Sequence, residues 1–249
     1  MSAILAHPFN ATMTAAGAAP AVKAAGVTRR IEDRALVHGL NFTIEQGAFI
    51  ALLGANGAGK TTLLRMLAML TSPSSGELRI LGEQCTPDAV HLRRRIGLIG
   101  HSAMLYRDLS PMDNLVFFGR LYRVDNPARR AAELLEWLEL SHRRDDAVKT
   151  FSRGMMQRVA IARALIHEPE VLLADEPFAG LDAPSAASLE RMLRELHARG
   201  RTIILANHDI HQALALAQRV FVLRGGRLVA DAAAVDLDPE TTLQLVVGS

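Results

Sequence analysis

The stretch GANGAGKTT, Gly54 to Thr62, constrains the fold more than any other part of the chain. It fits the pattern G-x-x-x-x-G-K-[ST]. The apolar run FIALL precedes it, and TTLLRMLAML, with apolar residues at helical spacing, follows it. Strand, glycine-rich loop and helix in that order form a ready-made anion site. Glycines let the backbone of Gly54, Ala55, Asn56, Gly57, Ala58 and Gly59 curl into a nest whose N–H groups point inward. The helix starting near Lys60, Thr61 and Thr62 adds its positive N-terminus. Lys60 can then reach the β- and γ-phosphates of a nucleotide, and the Thr61 hydroxyl can ligate Mg²⁺.

The remaining chain repeats the alternation. EVLLADEP and RTIILANH read as buried strands, QRVAIARALIHEP as a helix stopped at Pro169, and SAASLERMLRELHARG as a helix closed by Gly200. RVFVLRGGRLVA reads as a hairpin over Gly225 and Gly226. Alternating strands and helices predict an α/β fold with a mainly parallel sheet. From His101 to Lys149 no strand is evident, and Leu134, Leu135, Leu138 and Leu140 fall near helical phase. A helical subdomain over about residues 102–165 is therefore expected, inserted into one domain spanning 25–249. The Ala-rich segment 1–24 reads as a flexible extension.

At 249 residues and 49% hydrophobic, the chain can bury one sizeable core. Basic and acidic residues nearly balance, 28 against 26, so a nucleic-acid partner is not expected. Cys85 is the single cysteine, which excludes an internal disulfide framework and fits a reducing compartment. No run of about 18 apolar residues occurs, so no membrane span is expected.

Three further stretches suit the phosphate loop. In VLLADEP, Asp175 and Glu176 end a buried apolar run, where a carboxylate needs a charged partner. Mg²⁺ held near Asp175 would supply one, and Glu176 could polarise the water attacking the γ-phosphate. In FSRGM, Ser152, Arg153 and Gly154 open a helix and form a second anion-binding end, suited to a nucleotide held by another copy; a plain Ser152 N-cap is the simpler reading. In NHD, His208 follows a buried run, at a strand end that can touch a γ-phosphate.

Taken in order, these motifs resemble those of the ABC-transporter ATPase family. GANGAGKTT looks like its Walker A motif and VLLADEP like its Walker B motif with the catalytic glutamate. FSRGM is similar to the signature LSGGQ, AGLD (Ala179 to Asp182) to the D-loop, and His208 to the switch histidine. The resemblance implies a P-loop NTPase fold of the ABC type, with a mainly parallel core sheet, an antiparallel β portion and the helical subdomain. It implies ATP and Mg²⁺ as ligands, and two ATPs sandwiched between two copies, with Asp182 connecting the sites. It also implies polytopic membrane subunits that hold the chain at the cytoplasmic face of a bacterial inner membrane.

The chain departs from the family pattern in places. Ile31 stands where an aromatic residue stacks on adenine, Met155 at the signature Gln, and Arg153 is a second change in that motif. His101 stands at the Q-loop Gln, ahead of Leu109 and Ser110. There it would ligate Mg²⁺ or its water when neutral, or be a strand-end histidine with no metal role. The Gly-His pair, with LSPMDNL, Phe117 and Phe118 after it, resembles the ATP-binding subunit of the cytochrome c biogenesis haem exporter (the CcmA family). Haem export is thus the expected activity, with an exporter of drugs, lipids or polysaccharides, or a soluble ATPase acting on DNA or ribosomes, as alternatives. Met104, Leu105 and Tyr106 lie where the family receives its membrane subunit, and either dock it or pack the lobe's own core.

Overall fold

A computed structural model describes residues 19–32, 34–100 and 102–248. The expectations for His101 and for residues 1–18 of the N-terminal extension lie outside these. The chain opens with β1 (Val22–Ile31) and β2 (Arg34–Ile44), then β3 (Phe49–Leu53), α1 (Lys60–Leu67), β4 (Ser75–Ile80) and β5 (Glu83–Gln84). A 3₁₀ segment (Val90–Arg95) leads into β6 (Ile96–Ile99). The helices α2 (Pro111–Leu121), α3 (Pro127–Trp137) and α4 (Arg153–Leu165) follow. The core resumes with β7 (Val171–Asp175), α5 (Ala183–Ala198), β8 (Thr202–Ala206), α6 (Ile210–Leu216), β9 (Arg219–Arg224), β10 (Arg227–Ala233) and α7 (Pro239–Val247).

Two sheets result. The larger runs β10-β9-β3-β8-β7-β6, parallel from β9 to β6, with β10 antiparallel at the edge. The smaller, β2-β1-β4-β5, is antiparallel. This is the α/β architecture read from the alternation of strands and helices. The ladder of β1 begins at Val22, inside the stretch expected to be loose, because Ala21, Val22 and Ala24 are buried on pairing with β2 and β4.

Strand β3 explains why the motif before the glycine loop is continuously apolar. Phe49, Ala51 and Leu53 face one hydrophobic cluster, which reaches the helical lobe. Ile50 and Leu52 face the other, beneath the antiparallel sheet. A parallel strand buried on both faces cannot alternate with polar residues. The site therefore rests at the end of a strand buried on both faces, as β7 and β8 also are at every position.

Helices α2 and α3 each begin with a capped turn. Ser110 accepts from the Asp113 N–H and Asn126 from the Arg129 N–H, and proline follows each cap. Leu134, Leu135, Leu138 and Leu140 are fully buried, so this face fastens the lobe to the core. Leu135→Ala is expected to destabilise the chain by about 2–5 kcal/mol, the cost of a leucine-sized cavity. Urea unfolding checks this, and an unchanged midpoint would show that the lobe is not fastened through Leu135.

Candidate functional site

The phosphate loop joins β3 to α1. Gly54 has φ +153°, and a Cβ there would lie 2.3 Å from the Leu223 carbonyl oxygen of β9. Any other residue would push the loop off the sheet. Lys60 opens α1 with its side chain buried, and its Nζ donates to the Gly54 carbonyl at 2.6 Å and the Ala55 carbonyl at 3.3 Å. Burial pushes the ammonium pKa down, and Glu176 and Asp175 oppose that shift. An ammonium drawn toward neutrality by its surroundings gains most from added negative charge, as phosphates provide. The loop from Asn56 to Thr62 lines a cleft of about 330 Å³, which Glu176, Arg34 and Leu36 also line.

The fold brings Thr61 and Asp175 together across the sheet. The Thr61 hydroxyl donates to Asp175 Oδ1 at 3.2 Å. A hydroxyl and a carboxylate oxygen are hard donors of the kind Mg²⁺ selects, so these residues fit that ion. Asp175 is buried at the end of β7, and Glu176 follows it half-buried. Glu176 has φ +51°, a left-handed conformation costing about 1–3 kcal/mol for such a residue. Its N–H donates to the Ala206 carbonyl at 3.0 Å, which holds the strained turn against β8. Glu176 lines the phosphate cleft and two neighbouring cavities.

Ser152 caps α4, accepting from the Met155 N–H at 3.2 Å, so the simple cap reading is satisfied. Arg153 is exposed beside it and lines a cavity with Glu176 and Gln157. A Cβ on Gly154 would lie 2.4 Å from Ser185 Oγ, so the signature turn rests on the start of α5. Asp182 caps α5, its Oδ1 accepting from the Ser185 N–H at 2.9 Å. Hydrogen bonds from Ser185 hold the Asp182 carboxyl below its ordinary pKa. Ser185 thus touches both Gly154 and Asp182.

His208 is exposed at the end of β8. Its position is set by Asn207, which sequence reasoning passed over. Asn207 is 1% exposed; its Oδ1 accepts from the His208 N–H at 2.8 Å and the Asp209 N–H at 3.2 Å. The polar residue directly after the apolar run TIILA was the available signal. Ser185, Arg34 and Leu36 were also missed, having no motif of their own. Ile31, at the expected adenine position, is 53% exposed and does not line the phosphate cleft.

Beyond His101, the buried Asn114 shapes the loop. Its Oδ1 accepts from the Tyr106 N–H at 2.8 Å, and its Nδ2 donates to the Tyr106 and Ser110 carbonyls at 2.9 Å each. Leu105 packs against the core, as the packing reading expects of it, while Met104 and Tyr106 are exposed. The Tyr106 ring meets Phe117 edge-on at 5.2 Å. Among the described residues, no helix is long and apolar enough to cross a membrane.

A glycine loop, a hydroxyl–carboxylate pair and a strained glutamate at the ends of parallel strands define a nucleotide-hydrolysing cassette. Residues 37–179 match the ABC transporter family, and the chain belongs to it. It is an ATP-binding chain, and its enzymatic activity is ATP hydrolysis coupled to transport. The Nod factor export ATP-binding protein I of Burkholderia lata is 39% identical over 209 residues, 83% of this chain and 69% of that protein. The daunorubicin resistance ATP-binding protein DrrA3 of Streptomyces coeruleorubidus is 37% identical over 223 residues, 89% of this chain and 71% of that protein. Among solved structures, the dimeric post-hydrolysis state of the ATP-binding cassette MJ0796 bound to ADP and Pi has a TM-score of 0.77 and 28% identity, covering 86% of this chain and 98% of that one. CbiO1 from Clostridium perfringens, part of the ABC transporter complex cbiONQ, has a TM-score of 0.80 and 29% identity, covering 90% and 92%.

Proposed function

We propose that this chain powers an export complex as a pair of ATP-hydrolysing copies bound to polytopic membrane subunits. The observation that carries the reading is the Thr61–Asp175 contact beside Lys60 and Glu176, which gathers phosphate, metal and water chemistry at one edge of the sheet. Lys60 and the N–H groups of Gly54 to Thr62 hold the phosphates of ATP. Thr61 and Asp175 would hold Mg²⁺, which would supply positive charge against the phosphates. Glu176 accepts the proton of the attacking water, and His208 contacts the γ-phosphate. Ser152, Arg153 and Gly154 face the nucleotide of the second copy, with Asp182 linking the two sites. The domain division is one nucleotide-binding domain that opens with β1 at Val22, with a helical lobe over about 102–165. Membrane association runs through the partner subunits.

For the cargo, relatives named for Nod factor export and daunorubicin resistance support an exporter of the drug, lipid or polysaccharide type. Haem export rests on the sequence resemblance of the Gly100–His101 pair, LSPMDNL, Phe117 and Phe118, and these relatives lend it no support. A pull-down from detergent-solubilised membranes tests the reading. Polytopic subunits are expected with the chain; recovery of ribosomes or DNA in their place would overturn it.

A further inference from the structure

The hairpin that joins β9 to β10 overhangs the phosphate loop. Arg224 pairs with Arg227, so Gly225 and Gly226 alone form the turn. Both have positive φ, +53° and +77°, as a two-residue turn of type I′ demands. Turn geometry therefore treats the two glycines alike, but their surroundings do not. A Cβ on Gly225 would meet nothing within 4 Å. A Cβ on Gly226 would lie 2.6 Å from His38 Cδ2 and 2.7 Å from the Leu36 carbonyl oxygen.

Strand β2 crowds Gly226 against the phosphate loop. A Cβ on Gly59 would lie 2.9 Å from the same Leu36 oxygen and 3.6 Å from Gly226 Cα. Backbone from β2, from the loop and from the hairpin thus meets with no room for a side chain between. Two hydrogen bonds run through this junction. The Gly226 N–H donates to the Ala58 carbonyl at 3.0 Å, and the His38 N–H donates to the Gly226 carbonyl at 2.8 Å. The first bond has a consequence for Gly59. The peptide joining Ala58 to Gly59 is planar and trans, so its C=O and N–H point in opposite directions. With the carbonyl turned to the hairpin, the Gly59 N–H is turned away from it, to the side where Ala58, Gly59 and Lys60 line the phosphate cleft. An N–H so aimed is a nest donor for an anion. Half a turn of this peptide would present a carbonyl oxygen to the phosphate instead, a repulsive contact.

We propose that Gly226 is a positioning residue for nucleotide binding: through the Ala58 carbonyl it fixes the peptide that aims the Gly59 N–H at a phosphate. The inference rests on the phosphate-binding reading of Gly54 to Thr62 and adds to it a residue of the last hairpin. The same hairpin braces the other end of the loop, where Gly54 lies against the Leu223 carbonyl. By linkage, a phosphate that holds the Gly59 N–H also holds the Ala58 carbonyl on Gly226.

Full-length wild type, G226A and G225A are titrated with ATP and Mg²⁺ by calorimetry, and thermal melting checks each fold. G225A imposes left-handed strain on the same turn without the crowding. ATP affinity is expected to fall by about tenfold or more in G226A, the scale of a hydrogen bond to a charged group, and to stay within about twofold of wild type in G225A. Amide hydrogen exchange of the wild type, read residue by residue by NMR, depends on no variant folding. ATP with Mg²⁺ is expected to slow exchange at the Gly226 amide more than at the ladder amides of β9 and β10. Wild-type affinity in folded G226A, equal loss in G225A, or no preferential slowing at Gly226 would overturn the positioning role and leave the phosphate-binding reading intact. A wild type that binds no ATP would overturn both.

Discussion

Glu176→Gln is expected to slow ATP hydrolysis by about 10²–10⁴-fold, the usual contribution of a general base, while ATP still binds. The amide keeps the size and the hydrogen-bonding oxygen of the carboxylate but cannot take a proton from water. The strained backbone is held by the N–H bond to the Ala206 carbonyl, which the substitution leaves in place. Binding and chemistry should therefore separate. Single-turnover phosphate release gives the rate, and fluorescent-nucleotide titration gives the affinity. ATP that is bound but not hydrolysed should also hold two copies together longer, raising the dimer fraction on size-exclusion chromatography. Turnover at the wild-type rate in the purified complex would remove Glu176 from the proposed role.

Lys60→Met is expected to weaken ATP binding by about 10- to 100-fold, the range for losing hydrogen bonds to a charged group. Hydrolysis should fall at least as far. The reason lies in how the ammonium is held. It is buried, bonded to the Gly54 and Ala55 carbonyls of its own loop, and offset only in part by Asp175 and Glu176. Methionine fills similar volume without the desolvation cost of a buried charge, so thermal stability should not fall with affinity. Lys60→Arg should not rescue binding, because a planar guanidinium does not fit where a compact ammonium is enclosed. A lower melting temperature with unchanged ATP affinity would make Lys60 a structural residue.

Much of the candidate site is legible as sequence because phosphate chemistry is local. A glycine loop between a buried strand and a helix must lie within a few residues of its lysine and hydroxyl, so Gly54 to Thr62 announce themselves. The cap at Ser152 and the carboxylates after VLLA are equally local. What escaped notice depends on residues far apart in the chain. Asn207 matters because it fixes the backbone of His208, and Ser185 because Gly154 is pressed against it. Arg34 and Leu36 line the phosphate cleft although Ile31 was the residue aligned to the adenine. The β1 ladder starting at Val22 shows the same limit, since small residues look loose until paired strands bury them.

The sequence by itself determined the alternation of strands and helices, the position of the phosphate loop, and the residue types able to hold phosphate, metal and water. Those properties follow from periodicity and short-range spacing, which backbone geometry enforces within one strand, loop or helix. Only the tertiary structure decided which of these residues meet. It set the Thr61 hydroxyl 3.2 Å from Asp175, placed Glu176 on the walls of three cavities, and left Arg163 buried between core and lobe without a carboxylate partner among the described residues. Each depends on the order in which strands pair across the sheet. That order is chosen by which buried faces fit together, a collective outcome of packing that no local pattern encodes.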